Sequence, residues 1–260
     1  MKLEEFTSKK VGIVLSGGGI KGMAHIGVLE ALSERGILPQ IVSGASAGAL
    51  IGALYAKDIA PEEMLRFFKN TPLFRYNFFT LYKPGLIDTE RYRGFFEDYF
   101  PEDNFSELHR QLFVVATNLE KGESVIFEEG PLIKALLASA ALPPVFSPVE
   151  IDNLHYTDGG VMNNFPVEPL VGKCDLIIGS YVTAMREVDR SGFSSSLQLT
   201  NRANLLLMHA NCLPKLDIPD LLFIPEHLDR IGILDKKGIE QAYIMGYDHA
   251  SRLLDKELVV

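Results

Sequence analysis

The sequence predicts an α/β fold with a mainly parallel central sheet, and three observations carry that prediction. Short continuous apolar runs such as "KVGIVLS" (Lys10 to Ser16) have the character of strands buried on both faces. Strand, loop, helix, strand and helix then follow one another at a spacing that suits right-handed parallel crossovers. The second of those helices carries Gly48, Gly52 and Ala56 at i, i+4 and i+8, so one face is nearly bare and can press on a sheet.

The elements follow in order. After the first strand comes a glycine loop, Gly17-Gly18-Gly19. A helical pattern runs from about Lys21 to Arg35, with Ala24, Val28 and Leu32 on one side and Gly36 placed to stop it. "PQIVS" is the second strand and Ala47 to Lys57 the second helix. No charge appears over the 21 residues from Gly36 to Ala56, nominally enough to cross a bilayer. Pro39, Gln40, Ser43, Ser46 and three further glycines divide that run, so a strand, a turn and a buried helix are expected instead. Pro61 opens a helix to about Asn70, and Asp88 caps another to about Tyr99. "LFVVATNLEKGESVIFEE" reads as two strands around a Lys121-Gly122 turn. Pro131 starts the apolar helix "PLIKALLASAAL", which stops at Pro143-Pro144. "DLIIGSYV" (175–182) and "LLFIP" (221–225) extend the sheet. Arg186 to Asn204 reads as a mobile polar loop, and a helix from about Gly238 to Glu257 closes the chain. No repeat or linker divides residues 1–260, so one domain is expected.

Composition narrows the function. With 47% hydrophobic and 23% charged residues, the chain reads as an ordinary globular protein. A net charge of −9 argues against nucleic acid, whose phosphates need clustered Lys and Arg. It leaves a membrane surface open, because apolar contacts can also meet one. Cys174 and Cys212 provide no disulfide framework, and "MKLEEFTSKK" is no signal peptide, so a cytoplasmic setting is expected.

Two turns hold the chemistry. Gly17-Gly18-Gly19-Ile20-Lys21-Gly22 satisfies G-x-G-x-x-G, directly after a strand and opening a helix. That placement suits a dinucleotide, and it equally suits an oxyanion, since glycine N–H groups at a helix start attract negative charge. A dinucleotide site wants a carboxylate at the end of the second strand for the ribose. Gly44-Ala45-Ser46-Ala47-Gly48 stands there instead. Either small residues are packing there, or a G-x-S-x-G elbow lifts a nucleophilic hydroxyl clear of the sheet.

A serine needs a proton acceptor. Among six histidines, His25 is tied to the first helix, and His109 and His155 have no distinctive neighbourhood. His209, His227 and His249 lie in the C-terminal third, where a Ser…Asp…His order would put its base. Asp158 is the stronger candidate: Gly159-Gly160 after it makes a tight turn that frees the carboxylate. No His/Asp/Glu spacing points to a metal.

At these residues the chain resembles the patatin-like phospholipase family, whose pattern is G-G-G-x-[RK]-G, then G-x-S-x-G, then D-G-[GA]. Here these read "GGGIKG" (17–22), "GASAG" (44–48) and "DGG" (158–160), with "ASAALPPVFSP" and "GGVMNNFPV" as further similar blocks. The likeness covers about residues 9 to 182. It implies a three-layer α/β/α sandwich and a Ser–Asp dyad without histidine: Ser46 as nucleophile, Asp158 as base, and Gly17, Gly18 and Gly19 as oxyanion donors. Lys21 stands where members carry a basic residue, often Arg, and Ser16 where plant members have Asp. Gly22, Gly44, Gly48, Gly159 and Gly160 complete the motifs.

The resemblance implies long-chain acyl esters, phospholipids or lysophospholipids, as substrates; the chemistry calls for no cofactor, and peripheral contact with a membrane surface is expected at the aromatic segment. Twelve of the sixteen Phe and nine Tyr lie between Phe67 and Phe100. They either wall or cover an acyl trough, with "FRYNFFTLY" (74–82) touching lipid, or simply pack inward. A dinucleotide-binding protein and a catalytically silent lipid-binding module remain as alternatives.

Overall fold

Burial on both faces shapes the strands. All five residues of β1 (Val11–Leu15), β2 (Ile41–Ala45) and β7 (Leu176–Ser180) are buried, which is why these runs are continuously apolar rather than alternating. The computed structural model describes residues 3–73, 75–185 and 195–257. In it β3 (Gln111–Asn118), β2, β1, β7 and β8 (Leu221–Phe223) lie side by side and parallel. The antiparallel strands β4 (Glu123–Phe127), β5 (Val149–Ile151) and β6 (Leu154–Asp158) join at the β3 end.

β3 is long enough to take two neighbours along one edge. β2 pairs with its residues Gln111 to Val115, and β6 with Ala116 to Asn118. β4 pairs with Val114 to Asn118, overlapping both, so it must lie on the opposite edge. β2 and β6 therefore share an edge, run in opposite directions and meet end to end.

Helices cover both faces. Ile13 and Leu15 of β1 feed a large core with α1 (Leu3–Ser8), α2 (Met23–Ser33), α3 (Ala47–Ala56) and α9 (Ile239–Glu257). Val14, between them, points the other way, into a smaller core with Phe113, Leu170, Tyr181 and Cys212. This is the expected α/β/α layering.

Most boundaries match the sequence. The uncharged run 36–56 splits into β2 and α3, and no helix among the described residues is long and apolar enough to cross a membrane. Pro61 occupies the first turn of α4 (Pro61–Asn70). Asp88 accepts a hydrogen bond from the Glu90 N–H, but a 3-10 turn follows and the helix after it, α5 (Arg93–Glu97), stops short of Tyr99. α6 (Leu132–Ser139) and the two later strands stand as expected.

The polar loop expected over 186–204 is corrected in its second half. Residues 186–194 lie outside the described residues, whereas α8 (Ser196–Cys212) is a helix. Its serine-rich start is a cap: the Ser195 hydroxyl accepts the Gln198 N–H, and loop-like composition was marking a helix beginning. The β5–β6 hairpin was not read from the sequence either. Its two-residue turn, Asp152-Asn153, has φ of 51° and 61°, the left-handed pair a tight hairpin requires.

Candidate active site

Register explains how distant residues meet. Ala45, the last residue of β2, lies opposite Val115 of β3, and Asp158, the last of β6, lies opposite the next residue, Ala116. The two strand ends face each other, so the turn after β2 delivers Ser46 to the Asp158 carboxylate. The Ser46 hydroxyl donates to Asp158 Oδ2 at 2.6 Å across 112 residues of sequence.

The elbow is strained and glycine-dependent. Ser46 has φ 53° and ψ −128°, a conformation a side-chain-bearing residue rarely adopts. A Cβ on Gly48 would stand 2.3 Å from the Leu15 carbonyl oxygen, and one on Gly44 2.6 Å from the Gly48 carbonyl. Only bare backbone lets the turn fold this tightly beneath α3, whose positive end faces the hydroxyl. Ser139 braces the turn: its hydroxyl accepts the Ser46 N–H at 2.9 Å and donates to the Val115 carbonyl at 2.6 Å.

Asp158 is 1% exposed. Burial pushes its carboxyl up to about 6, while hydrogen bonds from Ser46 and from the Gly160 N–H (2.7 Å to Oδ1) pull the other way. The turn leaves Asp158 on α7 (Gly160–Asn163) through Gly159, whose N–H is held by the Ser139 carbonyl at 3.2 Å.

The glycine loop lies beside the elbow, because Gly22 lets its 3-10 turn (Gly19–Gly22) pack on Ala47 of α3. The Gly17 N–H donates to the Asn164 carbonyl at 3.1 Å. Of the three glycines expected as oxyanion donors, Gly17 thus has its N–H engaged within the protein. Gly18 and Gly19 have no acceptor among the described residues, and Ile20 donates to the Ile233 carbonyl at 2.8 Å. Lys21 is half-buried on the same turn, and that burial lowers its ammonium pKa against the pull of Asp229.

His25 anchors the loop from behind. Its Nε2 faces the Ser16 carbonyl at 2.8 Å and so carries the proton, leaving Nδ1 to accept from the Ser180 hydroxyl, also at 2.8 Å. Burial holds this imidazole down to about 4, hence neutral. None of the six histidines partners Ser46. His209 bonds Tyr181, His249 accepts the Ile224 N–H, His155 meets Glu120, His109 meets Asp58, and His227 lies beside Glu226. Of the supporting residues, Ser139 and Asn164 fall inside the two further blocks quoted above, while His25 and Ser180 carry no sequence signal beyond their elements.

Ser46 opens onto an apolar trough. Met23, Leu50, Phe67, Phe96, Leu137 and Phe146 form much of its wall. The aromatic segment thus divides its work. Phe67 and Phe96 pack inward and line the trough, stacked edge to face with centroids 5.1 Å apart. Tyr76, Leu81 and Tyr82 point outward at 97%, 94% and 97% exposure. Phe74, the first residue of the expected lipid-touching stretch, lies outside the described residues.

Residues 13–171 match the family model described as patatin-like phospholipase. An uncharacterised NTE family protein of Mycobacterium tuberculosis is 32% identical over 181 residues, covering 68% of this chain and 50% of that protein. The lysophospholipase NTE1 of Coccidioides immitis is 28% identical over 279 residues, covering 95% of this chain and 18% of that one. The chain thus spans about half the length of the mycobacterial relative and a smaller share of the fungal one. Among solved structures, VipD from Legionella pneumophila superposes with a TM-score of 0.62 at 17% identity, over 95% of this chain and 67% of that one. That likeness concerns the fold.

Proposed function

The chain belongs to the patatin-like phospholipase family, and from that premise we propose that it hydrolyses acyl esters of lipids through Ser46 and Asp158. The observation that carries this reading is the 2.6 Å contact from a serine on a strained elbow to a buried carboxylate, at the mouth of an apolar trough.

Ser46 Oγ attacks the ester carbonyl as its proton passes to Asp158 Oδ2. The oxyanion forms beside the Gly18 and Gly19 N–H groups, whose positions cost no reorganisation during the reaction. Asp158 returns the proton to the departing alkoxide, takes one from water as that water attacks the acyl-enzyme, and gives it to Ser46 Oγ as the Oγ–acyl bond breaks and the fatty acid leaves. An ordinary aspartate, with a reference pKa of about 4, is a weak base for this work. Raised to about 6, Asp158 is a better acceptor and remains ionised at neutral pH. The acyl chain lies in the trough, and the outward side chains Tyr76, Leu81 and Tyr82 meet the surface of a lipid aggregate.

Labelling with a fluorophosphonate, read by peptide mass spectrometry with and without phosphatidylcholine vesicles, tests the reading. Modification is expected at Ser46 alone, faster with vesicles, and absent in Ser46→Ala. A folded protein that binds vesicles but is never labelled would be a silent lipid-binding module. The pH dependence is a second check. Protonated Asp158 cannot accept a proton, so kcat/KM is expected to fall about tenfold per pH unit below about 6 and to level off above it. A rate unchanged from pH 7 down to pH 4 would exclude Asp158 as the base.

A further inference from the structure

A second groove adjoins the site on its outer side. Lys21 of the glycine-loop turn and Val161, three residues after Asp158, both contribute to its wall, so the groove begins where the two catalytic loops end. α8 supplies the far side through Leu207 and Met208, and a Cβ on Gly160 would meet the Met208 methyl at 2.7 Å. Leu142, Ile233 and Leu234 border this groove and the catalytic trough alike. The saddle between the two is fixed, because the Ile233 carbonyl accepts the Ile20 N–H.

We infer that this groove holds the acyl chain of the departing alcohol, so that the preferred substrate is a diacyl rather than a monoacyl glycerophospholipid. The inference rests on the hydrolase reading and deepens it. With the scissile chain in the trough and its carbonyl at Ser46, the remainder of the substrate must extend past the catalytic loops. When the Ser46 Oγ–acyl bond forms and the ester C–O bond breaks, Asp158 protonates the glycerol oxygen that leaves. From a diacyl lipid that alcohol is a lysophospholipid, which still carries one hydrocarbon chain. From a lysophospholipid it is a glycerophospho head group, with no apolar part to place. A largely apolar wall at this position suits the hydrocarbon of the first product, whereas the second could meet only the polar rim at Lys21 and Asn204 and would leave Val161, Leu207 and Met208 uncovered.

Leu207 tests this directly, since it is 67% exposed on a helix surface and lines this groove but not the catalytic trough. The full chain and its Leu207→Asp and Leu207→Ala variants are assayed on diacyl phosphatidylcholine and on lysophosphatidylcholine in matched detergent micelles. Wild type is expected to favour the diacyl lipid. Leu207→Asp is expected to lower its kcat/KM on that lipid about tenfold, with Leu207→Ala in between and the lysophospholipid rate unchanged. A wild-type preference for lysophospholipid, or equal effects on both lipids, would overturn the inference while Ser46 labelling still upheld the hydrolase. Loss of labelling and of all ester turnover in wild type would remove both readings.

Discussion

The substitution Asp158→Asn is expected to lower ester turnover by roughly 10²–10⁴-fold, the range of a general base, while making the folded protein more stable at neutral pH. Both effects have one cause. The carboxyl is buried and its pKa rises from 3.8 to about 6 on folding, so the native state resists ionisation. A group raised in this way contributes stability that is present in full below pH 4 and lost as the pH climbs through about 6. At pH 8 the wild-type protein carries that cost, on the order of 3 kcal/mol, and an uncharged amide of the same shape does not. The oxygen of that amide can still accept the Gly160 N–H, and its nitrogen can donate to Ser46. Thermal melts of Asp158→Asn and wild type at pH 8 and pH 4 provide the measurement. The variant should melt several degrees higher at pH 8, with the gap closing at pH 4. A variant that melts lower at pH 8 would show that the charged carboxylate is not under strain.

Gly19→Ala is expected to cost about 10²–10³ in kcat, the scale of one lost oxyanion donor. Gly19 has φ 57°, and a Cβ there would stand 2.2 Å from the Ile233 carbonyl oxygen, which is already fastened to the Ile20 N–H. Alanine must push that backbone away or rotate its own peptide, and either movement turns the Gly19 N–H from where an oxyanion forms. Gly18→Ala is the useful comparison. Its φ of 168° lies outside the left-handed region, and its added methyl would meet a side-chain methyl of Val182 at 2.6 Å, which can give more readily than backbone. The effect in Gly19→Ala should therefore be the larger, and it should appear in kcat more than in KM. Full activity in a folded Gly19→Ala protein would remove this N–H from the mechanism.

Several features were legible because their physics is local. The elbow folds Gly44 against Gly48 within its own five residues, where a Cβ would meet backbone, so Ser46 could be singled out before any fold was known. Continuous apolar runs marked the buried parallel strands, and Pro61 marked a helix start. Where local cues misled, the reason is equally specific. Ser195 sits in a stretch with loop composition, yet its hydroxyl caps α8. Asp152-Asn153 lacks the glycine that usually marks a two-residue hairpin turn, and its left-handed pair shows only once β5 and β6 are paired. The aromatic segment could not be divided in advance, because rings that line a trough and rings that face solvent occur there at similar spacing.

What the sequence determined by itself was the inventory: a serine elbow, a glycine loop, a carboxylate turn and the strands that present them. Each is set by backbone sterics within a few residues, and the side chains present decide it. Only the tertiary structure decided the connections. Ser46 meets Asp158 because β2 and β6 share one edge of β3 end to end, a matter of register between strands far apart in the chain. Burial from neighbouring layers raises the pKa of that carboxylate, and the Asn164 carbonyl engages the Gly17 N–H. Pairing, desolvation and competition for hydrogen bonds depend on what other segments bring to the same place, and those segments come together only in the folded chain.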